Sequence, residues 1–290
     1  MDLKKNLDNP IITTHIAVFL FGFSGLFGKF FSFSSIFIVL GRTFFAWLAL
    51  IIFIISFKKT MSIKPDSLKT SLSFALQGLL LAFHWVCFFY SIQISTVAIG
   101  LLTFSTFPLF VTFLEPVFFK EKLYLKDIIF ACMIFGGTFL IIPCFDFSNT
   151  MTKGGCIGII AGFTFALLTI INRHSAKNIN PLLIALYQNF FASLFLLIPA
   201  FLINSSLPSY SDLPLLAVLG ILCTAVSHSL FIKSLARIKA KTVSIITGLE
   251  PVWGIALALL ILKEIPGLTT IIGGIIIIFA STLACNRQNI

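Results

Sequence analysis

The sequence has little charge. Only 10% of its 290 residues are Asp, Glu, Lys or Arg, and just 10 residues are acidic. A typical soluble domain carries about 25% charged residues, so this deficit excludes an ordinary soluble globular protein. The chain is instead 58% hydrophobic, with a mean hydropathy of +1.08. This composition is that of an integral membrane protein.

The sequence also lacks the motifs of several enzyme and metal-site classes. The six cysteines are scattered without a C-x-x-C pair, which argues against a metal or redox site, although a disulfide between Cys144 and Cys156 stays open. No G-x-x-x-x-G-K-[ST] loop is present, so direct use of ATP is not expected. A membrane-embedded transferase would need metal-binding acidic clusters or a catalytic His-acid pair at one face, and no D-x-x-D cluster occurs. We therefore predict no catalytic residue, no metal and no cofactor.

Ten apolar segments come close to the roughly 20 residues that a membrane span requires. Short connectors rich in Ser, Asn, Asp and Pro separate them. The segments are residues 12–30, 35–56, 71–90, 95–118, 126–143, 154–172, 181–203, 213–233, 242–262 and 266–284. The sequence thus predicts an all-α integral membrane protein with ten transmembrane helices.

Lysine and arginine are distributed unevenly between the two sides of these segments. If the chain starts in the cytoplasm, 16 of the 20 basic residues fall on that side, 3 fall on the other, and Arg42 lies inside a span. Basic residues beside spans mark the cytoplasmic side. The net charge of +10 therefore reports orientation and not nucleic-acid binding, and we expect both termini in the cytoplasm.

The second half of the chain repeats the first at an offset of 143 residues. The aligned pairs are Phe88 and Phe231, Ser91 and Ser234, Pro108 and Pro251, Lys120 and Lys263, Glu121 and Glu264, and Thr138 and Ser281. Each unit holds five spans, an odd number, so the two units cross the membrane in opposite directions. We expect two inverted five-helix repeats, at residues 12–143 and 154–284, with a substrate site between them, as in many secondary transporters.

These features resemble the EamA family of the drug/metabolite transporter superfamily. The resemblance rests on Arg42 in LGRTFFAW, the mid-span prolines Pro108 and Pro251, and the Lys-Glu turns in FFKEKL and ILKEIP. It implies a ten-helix carrier that moves small metabolites, often amino acids and often outward, by alternating access. The sequence departs from a symmetric pair of carboxylates, because Glu250 aligns with Phe107.

Arg42 is the only base, and Glu250 the only acid, predicted to lie clearly inside a span. Charged groups at membrane depth are costly and usually functional. Helix rise puts Arg42 about 10 Å and Glu250 about 12 Å from opposite ends of their spans, close enough for the side chains nearly to meet. Two interpretations stay open: a fixed ion pair that locks two helices, or an exchangeable pair in which Arg42 takes a substrate carboxylate or Glu250 takes a proton.

Other polar and aromatic residues within spans are candidates for substrate binding or coupling. His84 and His228 align one residue apart between the halves, and Trp85 aligns with His228. Gln188, beside Tyr187, lies near the position that corresponds to Arg42. Pro108 and Pro251 are predicted to break their helices, and Gly154, Gly158 and Gly162 to present a face for close helix packing.

The leading functional hypothesis is a secondary transporter, not an enzyme, that moves a small polar metabolite across the cytoplasmic (inner) membrane. Its cargo would be an amino acid or a related compound, with export as one possible direction. Its partners are the small-molecule substrate, membrane lipids and a proton as candidate coupling ion, and its oligomeric state stays open. The alternatives are a lipid or lipid-linked sugar flippase on the same scaffold and, less favoured, a membrane-embedded transferase.

Overall fold

The computed structural model describes residues 9–57, 61–141, 146–203 and 206–285. Within these ranges every regular element is helical. The helices in chain order are α1 (Pro10–Phe30), α2 (Ser35–Phe57), α3 (Leu68–Ile94), α4 (Val97–Phe119), α5 (Leu125–Ile141), α6 (Thr150–Ser175), α7 (Pro181–Leu202), α8 (Tyr210–Leu235), α9 (Ala240–Leu262) and α10 (Leu268–Cys285). Each of the ten predicted segments thus contains a helix. Cys144 lies outside the described residues.

Eight of these helices are long and apolar enough to cross a membrane. The other two, α5 and α10, contain the shorter apolar stretches Ile128–Ile141 and Leu268–Ala280. The chain is therefore an all-helical, multi-pass membrane protein with eight candidate spans. Membrane crossing by α5 and α10 stays a prediction.

Polar side chains fix where several helices begin. The side chains of Asn9 and Asn180 accept hydrogen bonds from Ile11 N and Leu182 N, and each precedes a proline in the first turn of α1 or α7. An N-cap acceptor followed by proline is favourable because the first amides of a helix lack partners inside the helix. These caps set helix boundaries where the predicted connectors end.

Helices α4 and α9 are broken in the same way. The break in α4 separates Val97–Phe104 from Phe107–Phe119, and the break in α9 separates Ala240–Thr247 from Glu250–Leu257, which continues as the π-helical stretch Ala258–Leu262. Pro108 and Pro251 lie in the first turn of the second segments, where proline's missing N–H costs nothing. Both helices end at a lysine in the left-handed conformation, Lys120 (φ 53°) and Lys263 (φ 56°). The structure thus breaks both helices at the predicted prolines.

Helix α8 contains a π-helical segment, Ile221–Val226. The wider turn is visible at Thr224, whose hydroxyl donates to the carbonyl oxygen of Leu219, five residues earlier (2.8 Å). Just before it, α8 meets α2 backbone to backbone, since a Cβ on Gly220 would lie 2.8 Å from the Arg42 carbonyl oxygen. π-helical turns often occur at functional sites, and this one lies against Arg42.

The glycine face of α6 packs onto α3 and α4. A Cβ at Gly154 would lie 3.1 Å from the Ser91 carbonyl oxygen, and one at Gly162 would lie 2.8 Å from that of Phe104. The predicted close packing is thereby confirmed. Helices α5 and α10 pack against each other. The larger cluster of buried apolar residues lies among the other eight helices.

Candidate functional site

A small internal cavity lies among seven helices, α1–α4, α6, α8 and α9. It encloses about 20 Å³, room for about one or two water molecules. Its lining combines charged, imidazole and aromatic side chains: Phe21, Ser24, Arg42, His84, Trp85, Phe88, Phe104, Phe165, His228 and Glu250. The structure thus brings five of the sequence-predicted site residues to one cavity, namely Arg42, His84, Trp85, His228 and Glu250.

Arg42 is almost completely buried, with 1% of its surface exposed. Its Nε donates to the Thr224 hydroxyl (3.0 Å) and its Nη2 to the Cys223 carbonyl oxygen (3.2 Å). Its guanidinium carbon lies 3.8 Å from the centre of the Trp85 ring, a cation–π contact. Its Nη1 has no hydrogen-bond partner among the described residues. The N–H groups at this edge of the guanidinium therefore have no acceptor among the described residues.

Glu250 lines the same cavity and is 3% exposed. Glu250 and Arg42 form no ion pair with each other among the described residues. The fixed Arg42–Glu250 ion pair is therefore absent from this conformation. Glu250 opens the second segment of α9, next to Pro251. At this point α9 packs closely against Gly22 of α1: a Cβ atom on Gly22 would lie 2.9 Å from the Glu250 carbonyl oxygen.

The two histidines are held in different ways. His84 places Nδ1 2.9 Å from the Ala161 carbonyl oxygen; because that oxygen only accepts, we infer that Nδ1 carries the proton. His228 places Nε2 2.7 Å from Oε1 of Gln188. The amide nitrogen of Gln188 already donates to Gln77 and Asn172, so the His228 Nε2 must be the donor. Its Nδ1, without a partner among the described residues, is left as an acceptor.

Aromatic rings form most of the remaining cavity wall. Trp85 lies between Arg42 and His228, with the Trp85 and His228 ring centres 5.6 Å apart. The His84 ring stacks on Phe165 at 4.7 Å. Flat, apolar walls of this kind favour the apolar body of a ligand, while the polar groups orient it.

Two predicted site residues lie away from this cavity. Gln188 is fully buried behind His228 and orients it through the hydrogen bonds above. Tyr187 stacks on Phe74, and its hydroxyl donates to the Ile63 carbonyl oxygen (2.8 Å). Neither side chain lines the cavity, so neither is placed to touch a ligand there in this conformation.

Sequence reasoning missed two features. Cys223 and Thr224 hold Arg42 from the π-helical turn of α8, a turn that hydrophobic periodicity does not reveal. The prediction that Arg42 and Glu250 are the only charged residues inside spans is wrong. Glu115 in α4 and Arg173 in α6 are also buried, and they form an ion pair with each other.

Glu115 and Arg173 belong to a larger charged cluster. Arg173 also pairs with Glu121 (3.0 Å), which pairs with Lys239 (3.2 Å). Burial raises the pKa of the Glu121 carboxyl, but the hydrogen bonds and charges of Arg173 and Lys239 lower that pKa by a larger amount. The pKa of this carboxyl therefore lies below its usual range. This carboxylate is therefore ionised at neutral pH, and both of its ion pairs are formed there.

Comparisons with known proteins identify the chain's relatives. The model of the EamA-like transporter family matches twice, at residues 9–142 and 152–285. The "Uncharacterized transporter YxxF" of Bacillus subtilis (strain 168) is 26% identical over 96% of this chain and 89% of its own length. The "S-adenosylmethionine uptake transporter" of Rickettsia bellii (strain RML369-C) is 26% identical over 83% of this chain and 80% of its own. A crystal structure with 15% identity superposes with a TM-score of 0.74, covering 96% of this chain and 97% of that one, and shares the fold.

Proposed function

Because this chain belongs to the EamA-like transporter family, we propose that it is a secondary transporter that moves a small polar metabolite across the cytoplasmic membrane by alternating access. The proposal includes ten spans arranged as two inverted repeats, with both termini in the cytoplasm. Two family matches on successive halves, and the paired helix breaks and left-handed lysines of α4 and α9, support the repeats.

The observation that carries the proposal is the unsatisfied guanidinium of Arg42. Taking a charge out of water is costly unless it is paired. Arg42 is buried in the cavity with a free Nη1 and without an ion-pair partner among the described residues. A substrate carboxylate would supply the missing partner through charge-assisted hydrogen bonds.

The opposite charge in the same cavity narrows the substrate class. Glu250 can bind an ammonium group or take up a coupling proton, and the His228 Nδ1 can accept a hydrogen bond. A compound with a carboxylate, an amino group and an apolar or flat body satisfies all of these groups. Amino acids and related compounds have this pattern. S-adenosylmethionine, the substrate in the name of one relative, also has it.

The size of the cavity also bears on the mechanism. A volume of about 20 Å³ is far below the roughly 300 Å³ of a typical ligand pocket. Binding of a metabolite would therefore require the surrounding helices to separate. Since the cavity lining comes from both halves, movement of one half against the other would open it.

The test is uptake of radiolabelled compounds into proteoliposomes that contain the purified protein. The panel comprises amino acids, S-adenosylmethionine and a lipid-linked sugar, each with and without a pH gradient. We expect saturable transport of at least one compound with a carboxylate and an amino group, and its loss in Arg42→Met. Tyr187→Phe, outside the cavity, is the matched control and should transport normally. Movement of the lipid-linked sugar alone would favour the flippase and contradict the proposal.

A further inference from the structure

The charged cluster Glu115, Glu121, Arg173 and Lys239 is not explained by the cavity. It lies toward the lysine-rich end of the helices, the end to which the sequence assigns 16 of the 20 basic residues, Arg173 among them. On α6, Arg173 follows the cavity residue Phe165 by eight residues, or about 12 Å. Glu115 is 2% exposed and Arg173 is 8% exposed. The Arg173 guanidinium also covers the Phe119 ring at 4.2 Å. The Glu115–Arg173 pair at the centre of this cluster is thus buried, whereas Glu121 is partly buried and Lys239 is exposed.

Every ion pair of the cluster joins the two halves of the chain. Glu115 and Glu121 belong to the first half, and Arg173 and Lys239 to the second. Glu115 additionally accepts hydrogen bonds from Ala240 N (2.8 Å) and Lys241 N (3.1 Å) at the start of α9. A carboxylate is favourable there because a helix N-terminus has free amides and a positive dipole end. The cluster therefore fastens α4 to α6 and α9.

The opposite end of the cavity has a related but weaker contact. Glu264, which aligns with Glu121 at the 143-residue offset, accepts a hydrogen bond from Ala98 N at the start of α4, at 3.3 Å. Ala98 aligns in the same way with Lys241. Lys29 donates to the Ser95 carbonyl oxygen (2.6 Å), within its own half. Lys29 is also attracted electrostatically to Glu264 of the other half, without forming an ion pair with it. At this end the described charged groups thus link the halves through one long hydrogen bond and one attraction at longer range.

The two contacts lie on either side of the cavity. Along α4, Ala98 precedes the cavity residue Phe104 by six residues, and Glu115 follows it by eleven. An alternating-access carrier must open one side while the other stays closed, so contacts between its halves at the two ends must form and break in turn. A contact with several ion pairs holds its end closed more strongly than a single hydrogen bond.

We propose that Arg173, together with Glu115, Glu121 and Lys239, forms the gate that closes the cavity on the lysine-rich side. The Glu264–Ala98 contact is the weaker gate on the other side. The inference rests on the proposed transport function. It assigns a role in the transport cycle to residues that do not line the cavity. In this conformation the ion pairs hold the lysine-rich side closed, and the Glu264–Ala98 hydrogen bond holds the other side.

The test measures access to the cavity and needs no substrate, so it is independent of the transport proposal. In a background with the six native cysteines replaced by serine, Ser24→Cys places one thiol in the cavity lining. Its reaction rate with a membrane-impermeant maleimide is measured in right-side-out and inside-out vesicles. With the gate intact, we expect slow labelling from the lysine-rich face, which the positive-inside rule makes the cytoplasmic one.

Two variants open the gate in different ways. Glu115→Gln keeps the shape but removes the charge, and Arg173→Met removes the central cation. Each should raise the labelling rate from the lysine-rich face at least about tenfold, because a buried ion pair is broken. Glu264→Ala removes the acceptor of the Ala98 N–H and is the control at the other end; it should raise labelling from the opposite face alone. Lys239→Met provides an exposed-side variant if Arg173→Met does not fold.

Two results would overturn the proposal. One is an unchanged labelling rate from the lysine-rich face in monodisperse Glu115→Gln and Lys239→Met. The other is an equal increase from both faces, which would show general loosening of the protein and not the opening of one gate. A failure to find any substrate in proteoliposomes would leave the labelling result intact and would count against the transport proposal alone.

Discussion

Replacing Arg42 with methionine separates a binding arginine from a structural one. Methionine fills much of the same space beside Trp85 and carries no charge. The change removes the hydrogen bonds to Thr224 (3.0 Å) and Cys223 (3.2 Å) and the cation–π contact with Trp85. It also removes the cost of a buried guanidinium that has no ion-pair partner among the described residues.

These contributions nearly cancel in stability but not in binding. The two charged hydrogen bonds stabilise by about 3–6 kcal/mol together, and the cation–π contact by about 1–2 kcal/mol. Desolvation of the charge opposes them by several kcal/mol. We therefore expect the free energy of unfolding to change by less than about 2 kcal/mol. Loss of the partner of a substrate carboxylate costs about 2–5 kcal/mol, so affinity should fall about 30-fold or more.

The two effects are measured on the same preparations. Thermal unfolding of the purified protein gives Tm, and substrate titration in proteoliposomes gives KM for the best-transported compound of the panel. We expect a Tm within a few degrees of the unmodified protein and a KM at least about 30-fold higher. Arg42→Lys keeps a charge but not the planar guanidinium, so its KM should lie between those of the unmodified protein and Arg42→Met. A Tm lower by about 10 °C or more with an unchanged KM would show that Arg42 is structural.

Three further predictions concern coupling, the polar network and packing. Glu250→Gln keeps the shape of the side chain but cannot take up a proton, so transport should lose its stimulation by a pH gradient; stimulation that survives would exclude Glu250 as the coupling group. Gln188→Leu removes the hydrogen bonds to His228 and two other buried amides and should destabilise the protein by about 3 kcal/mol or more in thermal unfolding. Gly158→Ala forces a Cβ against Thr103 and should cost about 1–3 kcal/mol, whereas Gly136→Ala, with nothing within 4 Å, should be neutral; equal Tm values would refute this account of the packing.

The sequence predicts the positions of the helices because each span is a long apolar run, and the structure places a helix in each predicted segment. It also predicts the breaks at Pro108 and Pro251, because proline lacks an N–H and tolerates only the first turn of a helix. Arg42 and Glu250 are predicted to lie near one another from helix rise alone, and they do line one cavity.

The partners of these charges are not predictable in the same way. Arg42 is held by a backbone carbonyl and a hydroxyl in the π-helical turn of α8, and backbone geometry of this kind leaves no periodic pattern in the sequence. In the sequence, Arg173 near the end of α6 is one of the basic residues that are predicted to lie on the cytoplasmic side. Only the packing of α6 against α4 shows that its side chain turns inward to Glu115.

The most direct test of the account is an experimental structure of the protein with the best-transported compound of the panel bound. We expect ligand density between Trp85 and His228, with a carboxylate oxygen within about 3.2 Å of the Arg42 Nη1. The cavity should be larger than the 20 Å³ found here. Density at another place, with Arg42 Nη1 still unpartnered, would contradict the claim that this cavity is the substrate site.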